Sequence, residues 1–309
     1  MITQAGGVPN IKTNGSAVLT AYSKKWNARY WQTGVLPAIT TSQYFSELQK
    51  GDQVDITNEP TVTFKAYQNG QALDVERVNL TSTSVKIDQA GYFNVALTDV
   101  DAELSHLDLG NKYLEVGQKE GQKYIDQAFF TAMVDQAAAA NKGATAGAIS
   151  GSFNLGTSGA GVALNTTNVV KFVTSLQTVL QEQIAADEET WCVIPPWMHW
   201  VFVNSELKNA QMMGDPKSVL RTGFLGVING MKFFVNTYLS GVGTAAGTPT
   251  AILAGNKRAI SYTLRMNKAQ KWQNGAFETL LQGQMVWGWK CVKPEGLVNA
   301  YAYKAAEPS

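Results

Sequence analysis

The chain has little of what soluble catalytic sites are usually built from. Only two of its 309 residues are cysteine and only two are histidine. Cys192 and Cys291 show no ligand-like spacing, so neither a disulfide framework nor a zinc site has enough to work with, and a reducing compartment is expected. His106 and His199 have no partner at metal-ligand or general-base spacing, which points to structural roles for both. H-E-x-x-H, G-x-S-x-G and C-x-x-C are all absent. Cys192, inside WCVIPP, reads as a small buried hydrophobe. No apolar run approaches the roughly 20 residues of a membrane span. The start, MITQAGGVPN, has neither the basic region nor the apolar core of a signal peptide. A soluble protein made in a cytoplasm, without a membrane partner, is the expectation.

Two ligand-like patterns fail on inspection. Asp99, Asp101 and Glu103 form D-x-D-x-E, but the glycine and the distal glutamate of a calcium loop are missing. Gly223, Gly226, Gly230 and Lys232 suggest a phosphate cradle, yet Met231 separates the last glycine from the lysine. The next stretch, MKFFVNTYL, is strand-like where a phosphate loop needs a helix. No catalytic, cofactor-binding or metal-binding residue is therefore predicted, no cofactor is expected, and the chain does not read as an enzyme.

What is present is length, strong patterning and uneven charge. A chain of 309 residues can bury a sizeable core. Its net charge is +1, but residues 1–50 carry +4, 51–142 carry −7, and 251–309 carry +5. Opposite potentials of this kind steer association within a chain or between copies of it.

The first 48 residues are rich in aromatics, are interrupted by Gly34 and Pro37, and fit an arm lying across another element or another subunit. Residues 52–97 read as strands. TVTFKAYQ alternates, Asn69-Gly70 is a strong hairpin signal, and LDVERVNLTSTSVKI returns. So long and polar a hairpin lacks the apolar mass to stand alone and must lie against something.

From Asp99 the period becomes helical to about Ala140, through Leu104, Leu107, Leu114, Ile125, Phe129, Met133 and Val134. Gly110, Gly117 and Gly121 predict a bend or break. Residues 137–164 read as a linker or mobile loop. Asn165 to about Ala185 is a second helix whose apolar face ends at Ile184, and Asn165 or a following threonine is its cap. WCVIPP is a strand stopped by prolines, WMHWVFVNSELKNAQMM restarts as a helix, and four strand-like runs close the chain: TAILAG, AISYTLRM, FETLLQGQMVWGWKCV and LVNAYAYK.

YFSELQKGDQVDI, KIDQAGYFNVALTDVDAELSHLDL, WCVIPPWMHWVFVNS, GFLGVINGMKFFVNTYL and MVWGWKCVKPEGLVNAYAY, in this order and spacing, resemble one family. It is the major capsid (coat) proteins of tailed bacteriophages, with the Hong Kong 97-type fold, and the resemblance covers roughly residues 44–305. It implies an α+β fold with an N-terminal arm (1–48), an extended β-hairpin loop (49–97), a spine helix in a peripheral domain (98–142), a mixed axial domain (143–267) and returning strands (268–309). Function would be self-assembly into an icosahedral shell around packaged double-stranded DNA. The implied partners are many copies of the chain, a portal protein, decoration proteins and a separate scaffolding protein, since too little chain precedes the hairpin to hold a scaffolding extension. The implied location is the virion, with host cytoplasm during assembly. Candidate assembly residues are Lys24, Lys25, Arg29 and Trp31 in the arm and Asn69, Gly70 and Arg77 in the hairpin. An encapsulin-like bacterial compartment would share the fold. A carbohydrate-binding protein, with Trp287 and Trp289 on one strand face as a stacking surface, is the alternative from another class.

Overall fold

The computed structural model describes residues 29–45, 51–98, 108–185, 189–205, 226–241, 247–274 and 278–306. Asp99, Asp101, Glu103, His106, Lys24, Lys25 and Gly223 lie outside these residues, as does most of the expected helical continuation after residue 203.

Three sheets organise the chain. A six-stranded sheet has the order β4-β11-β8-β5-β7-β6, built from Val162–Leu164 (β4), Thr190–Ile194 (β5), Val227–Ile228 (β6), Met231–Val235 (β7), Thr250–Asn256 (β8) and Leu297–Lys304 (β11). Its central strands β5 and β8 are buried along their whole length, which explains why TWCVI and TAILAGN read as unbroken rather than alternating runs. Alternation reappears in which face each residue serves. Cys192 and Ile194 join the core under α3 (Val169–Glu182) and α4 (Pro196–Val203). Trp191 and Val193 point the other way, into a second core with α1 (Leu36–Ile39) and the end of α2 (Leu109–Met133).

The second core also rests on a three-stranded sheet of order β3-β10-β9, from Gln89–Thr98 (β3), Ile260–Asn274 (β9) and Glu278–Cys291 (β10). Residue 267, the expected end of the axial domain, falls inside β9, a strand that starts beside the six-stranded sheet and ends far along the three-stranded one. The third sheet is the pair β1 (Gln53–Thr57) and β2 (Ser82–Lys86).

Several sequence expectations need correction. The helix α2 runs unbroken through Gly110, Gly117 and Gly121. These glycines let it lie close to the sheet. A Cβ at Gly117 would come within 2.6 Å of the Phe93 ring, and one at Gly121 within 2.8 Å of Met285 Sδ. The segment 137–164 is not a free linker either. Ala146 and Leu155 are fully buried, Ala146 bridges to Phe153, and Asn141 Nδ2 donates to the Glu295 and Leu297 carbonyls at 2.7 and 3.0 Å. Small residues there permit close packing onto β11. Ile184 lies beyond the end of α3 at φ 58° and is exposed rather than on the apolar face. Asn168 is the residue before α3, while Asn165 Oδ1 accepts from the Thr167 and Asn168 amides, each at 3.1 Å.

The glycine-rich stretch resolves into a tight β6–β7 turn. Asn229 (φ 50°) and Gly230 (φ 81°) both take the left-handed conformation that a two-residue hairpin turn requires. Lys232 leaves the turn on β7 and pairs with Glu189 at 2.9 Å.

Candidate assembly surface

The hairpin rises from a firm root. The β1–β2 ladder pairs Gln53 with Lys86 through Thr57 with Ser82, and Asp55 Oδ1 accepts from Ser84 Oγ at 2.6 Å. With Gln53 also donating to it, the Asp55 carboxyl is held below the usual carboxylate range. Val85 is fully buried. The chain leaving β2 crosses β10 at Gly288, where any Cβ would collide with the Lys86 carbonyl, and Arg265 Nη1 donates to the Gly51 carbonyl at 2.5 Å.

Beyond this root the ladder stops. Residues 58–81 are extended without assigned strands, up to the turn at Asn69-Gly70, where Gly70 has φ 85° and Gln71 N donates to Gln68 O at 3.0 Å. The hairpin expected from sequence is there, but its long arms lack a mutual ladder. With 12 residues per arm, residues 58–69 outward and 70–81 back, the loop can reach at most about 40 Å. It is solvated on both faces. Phe64 is 101 %, Val75 86 %, Leu73 78 % and Val62 70 % exposed, and Leu80, Tyr67 and Val78 are exposed with them. Asn69, Gly70 and Arg77 all lie on this exposed loop.

The arm behaves differently. Arg29 pairs with Glu120 of α2 at 3.1 Å and lies 5.3 Å from the centre of the Trp31 ring, over which Lys119 also sits. Gln32 donates to the Val235 carbonyl at 3.0 Å and accepts from the Thr237 amide at 3.1 Å. Leu36 and Ile39 are buried, and Thr41 bridges Ser261. Arg29 and Trp31 are thus engaged with the chain's own long helix. The structure does not bring them together with Asn69, Gly70 and Arg77, and sequence gave no pairwise signal for the Arg29–Glu120 contact.

The exposed face of α2 carries a charge ladder in which Glu115 accepts from Lys112 at 2.7 Å and from Lys119 at 2.6 Å, which holds its carboxyl down to about 2. Between α2 and β3 a cavity of about 510 Å³ is lined by Gly91, Phe93, Gly117, Gly121, Tyr124 and Trp287, among others.

Cys192 is fully buried and its thiol is pushed up by desolvation. No group of three or more His, Cys, Asp or Glu gathers as a metal site among the described residues, and no helix among them is long and apolar enough to cross a membrane. The stacking surface imagined for a glycan is covered. Trp287 is 3 % exposed under α2, with Tyr124 edge-on at 6.1 Å, and Trp289 meets Phe129 edge-on at 5.7 Å.

In sequence, no family model matches the chain and no curated protein does. In structure the likeness is extensive. A chain from Mycobacterium phage Che8 superposes with a TM-score of 0.75 at 18 % identity, over 92 % of this chain and 97 % of that one. A chain from the capsid of a native GTA particle gives 0.69 at 12 % identity, over 97 % and 99 %. One from the capsid of cyanophage P-SCSP1u gives 0.66 at 16 % identity, over 97 % and 100 %. The likeness spans nearly the full length of each chain compared, and this chain has the tailed-phage major capsid protein fold.

Proposed function

We propose that the chain is the repeating structural subunit of an icosahedral capsid that encloses packaged double-stranded DNA. One observation carries the reading most directly. The hairpin displays seven large apolar side chains on a protrusion that no other part of the chain covers among the described residues. Monomeric proteins rarely expose apolar surface so concentrated, and an extended loop without a ladder gains its order from what it lies on. A neighbouring copy supplies that cover in a shell. Two of the similar structures are capsids, of cyanophage P-SCSP1u and of a GTA particle, which supports the same occupant.

In this reading residues 1–48 form the arm, 49–97 the hairpin, 98–142 the spine, 143–267 the axial domain and 268–309 the returning strands. Lys24, Lys25, Asn69, Gly70 and Arg77 serve contacts between copies, while Arg29 and Trp31 fix the base of the arm. A separate scaffolding protein, a portal protein and decoration proteins complete the particle. The subunit works by burial rather than turnover, first in host cytoplasm and then in the virion.

Coexpression with its scaffolding partner followed by electron microscopy is expected to show closed shells. A persistently monomeric protein whose hairpin amides are already protected from exchange would overturn the proposal.

A further inference from the structure

Among the described residues, Asp126 is the carboxylate that is buried. Asp126, on the inner face of α2, is 5 % exposed and sits where residues 34–36 cross the helix. It accepts from the Val35 backbone N–H, and a Cβ on Gly34 would lie 3.6 Å from its Oδ2. Leu36, Ile39, Phe129 and Phe130, on the two elements that cross here, are buried in the core. Tyr262 of β9 feels the Asp126 charge, while Tyr238 after β7 and Lys119 and Lys123 of α2 line the cleft beside Gly34, with Lys123 engaged with Glu120 at 3.4 Å. Residues 33–36 contribute no ionisable group.

This crossing is also where the arm is fastened. Arg29 on Glu120 and Gln32 on residues 235–237 hold the segment just before it. A cleft of about 200 Å³, lined by Trp31, Gln32, Gly34, Lys119, Lys123 and Tyr238, opens beside the crossing at Gly34.

We propose that Asp126 is the proton-sensitive bolt of a latch that pins the arm root, residues 29–36, to the long helix, and that the latch closes more tightly on acidification. Burial raises the carboxyl from 3.8 to about 6 against the opposing pull of the Val35 N–H, and burial of the Tyr262 hydroxyl, with a smaller push from the Asp126 charge, raises Tyr262 to about 12. An acid whose pKa is raised by docking takes up a proton when it docks. The docked arm is therefore unpenalised below 3.8, loses ground between 3.8 and about 6, and stays at its weakest above that. The contact lies within one chain, so it holds whether or not copies assemble.

Hydrogen exchange of the full-length chain tests this, read as protection factors for Val35 and Leu36 between about pH 4 and pH 8. Protection is expected to rise between tenfold and about a hundredfold on going from pH 7 to pH 4. Asp126→Asn, neutral throughout, should hold high protection at every pH, while Glu120→Gln should lower protection yet keep the pH profile. A change below tenfold in the native chain, or an unchanged profile in Asp126→Asn, overturns the proposal. Should Asp126→Asn fail to fold, the carboxyl carbon shift of Asp126 decides. A midpoint near 6 supports the latch, and one near 4 overturns it.

Discussion

Glycines decide more at the residue scale here than any reactive group does. Phe93 fills the space between Gly117 of α2 and Gly283 of β10, and a Cβ at either position would strike its ring. The ring cannot retreat from one without meeting the other. Gly117→Val is expected to destabilise the fold by about 1–3 kcal/mol, as overpacking does, measured by urea unfolding. Gly230→Val should cost about 1–2 kcal/mol, because its φ of 81° is left-handed backbone that a β-branched residue resists. That variant should lose folding or assembly together with the β6–β7 turn. Glu115 gives a pH signature of its own. Its carboxyl is held near 2 by Lys112 and Lys119, so its support of α2 is fully present above about 4.5 and is lost as the pH falls toward 2. Glu115→Gln should flatten that part of an acid titration followed by circular dichroism at 222 nm.

Among the elements, the hairpin and the long helix divide the labour between association and stability. Phe64 makes no contact that the fold depends on, being wholly exposed. Phe64→Asp is expected to leave unfolding of the isolated chain within about 0.5 kcal/mol of native, as a surface change does, while abolishing shell formation in electron micrographs. Loss of stability and of assembly together would assign Phe64 to the subunit's own fold. The helix shows the opposite balance, since Ile125, Phe129, Phe130 and Met133 are buried in the core that also receives Trp191 and Val193 from β5. Substitutions there should unfold the subunit before they affect any neighbour.

At the scale of the whole molecule the charge asymmetry becomes useful. Residues 51–142 carry −7 while the segments 1–50 and 251–309 carry +4 and +5, and part of this is satisfied internally through Arg29 and Glu120. In the proposed assembly, opposite potentials of this kind would steer copies toward one another. Assembly followed by light scattering is expected to slow as salt rises from about 50 mM to about 0.5 M, where the screening length falls to a few ångströms. An unchanged rate would place the driving force wholly in apolar burial of the hairpin.

Sequence by itself determined the kinds of element and their order. The Asn69-Gly70 signal and three-and-four spacing are local properties, and local physics places the hairpin turn, the body of α2, α3, the buried strand TWCVI and the closing strands where those patterns stand. The alternation of TVTFKAYQ, by contrast, yields no strand without a covering surface, and the helical period read to about Ala140 stops at Met133. Tertiary structure alone decided which residues touch. Gly117 was read as a helix breaker because propensity knows nothing of Phe93, and residues 137–164 as a free linker because composition knows nothing of β11. The arm was open to either another element or another subunit until Arg29, Gln32 and Leu36 were placed on the chain's own α2, β7 and core. Nothing in the local pattern distinguishes Asp126 from the other acids of α2, and burial at the crossing of residues 34–36 sets it apart. Pairing between distant residues depends on which surfaces the folded chain brings together, and burial, unlike periodicity, is a property of that whole arrangement.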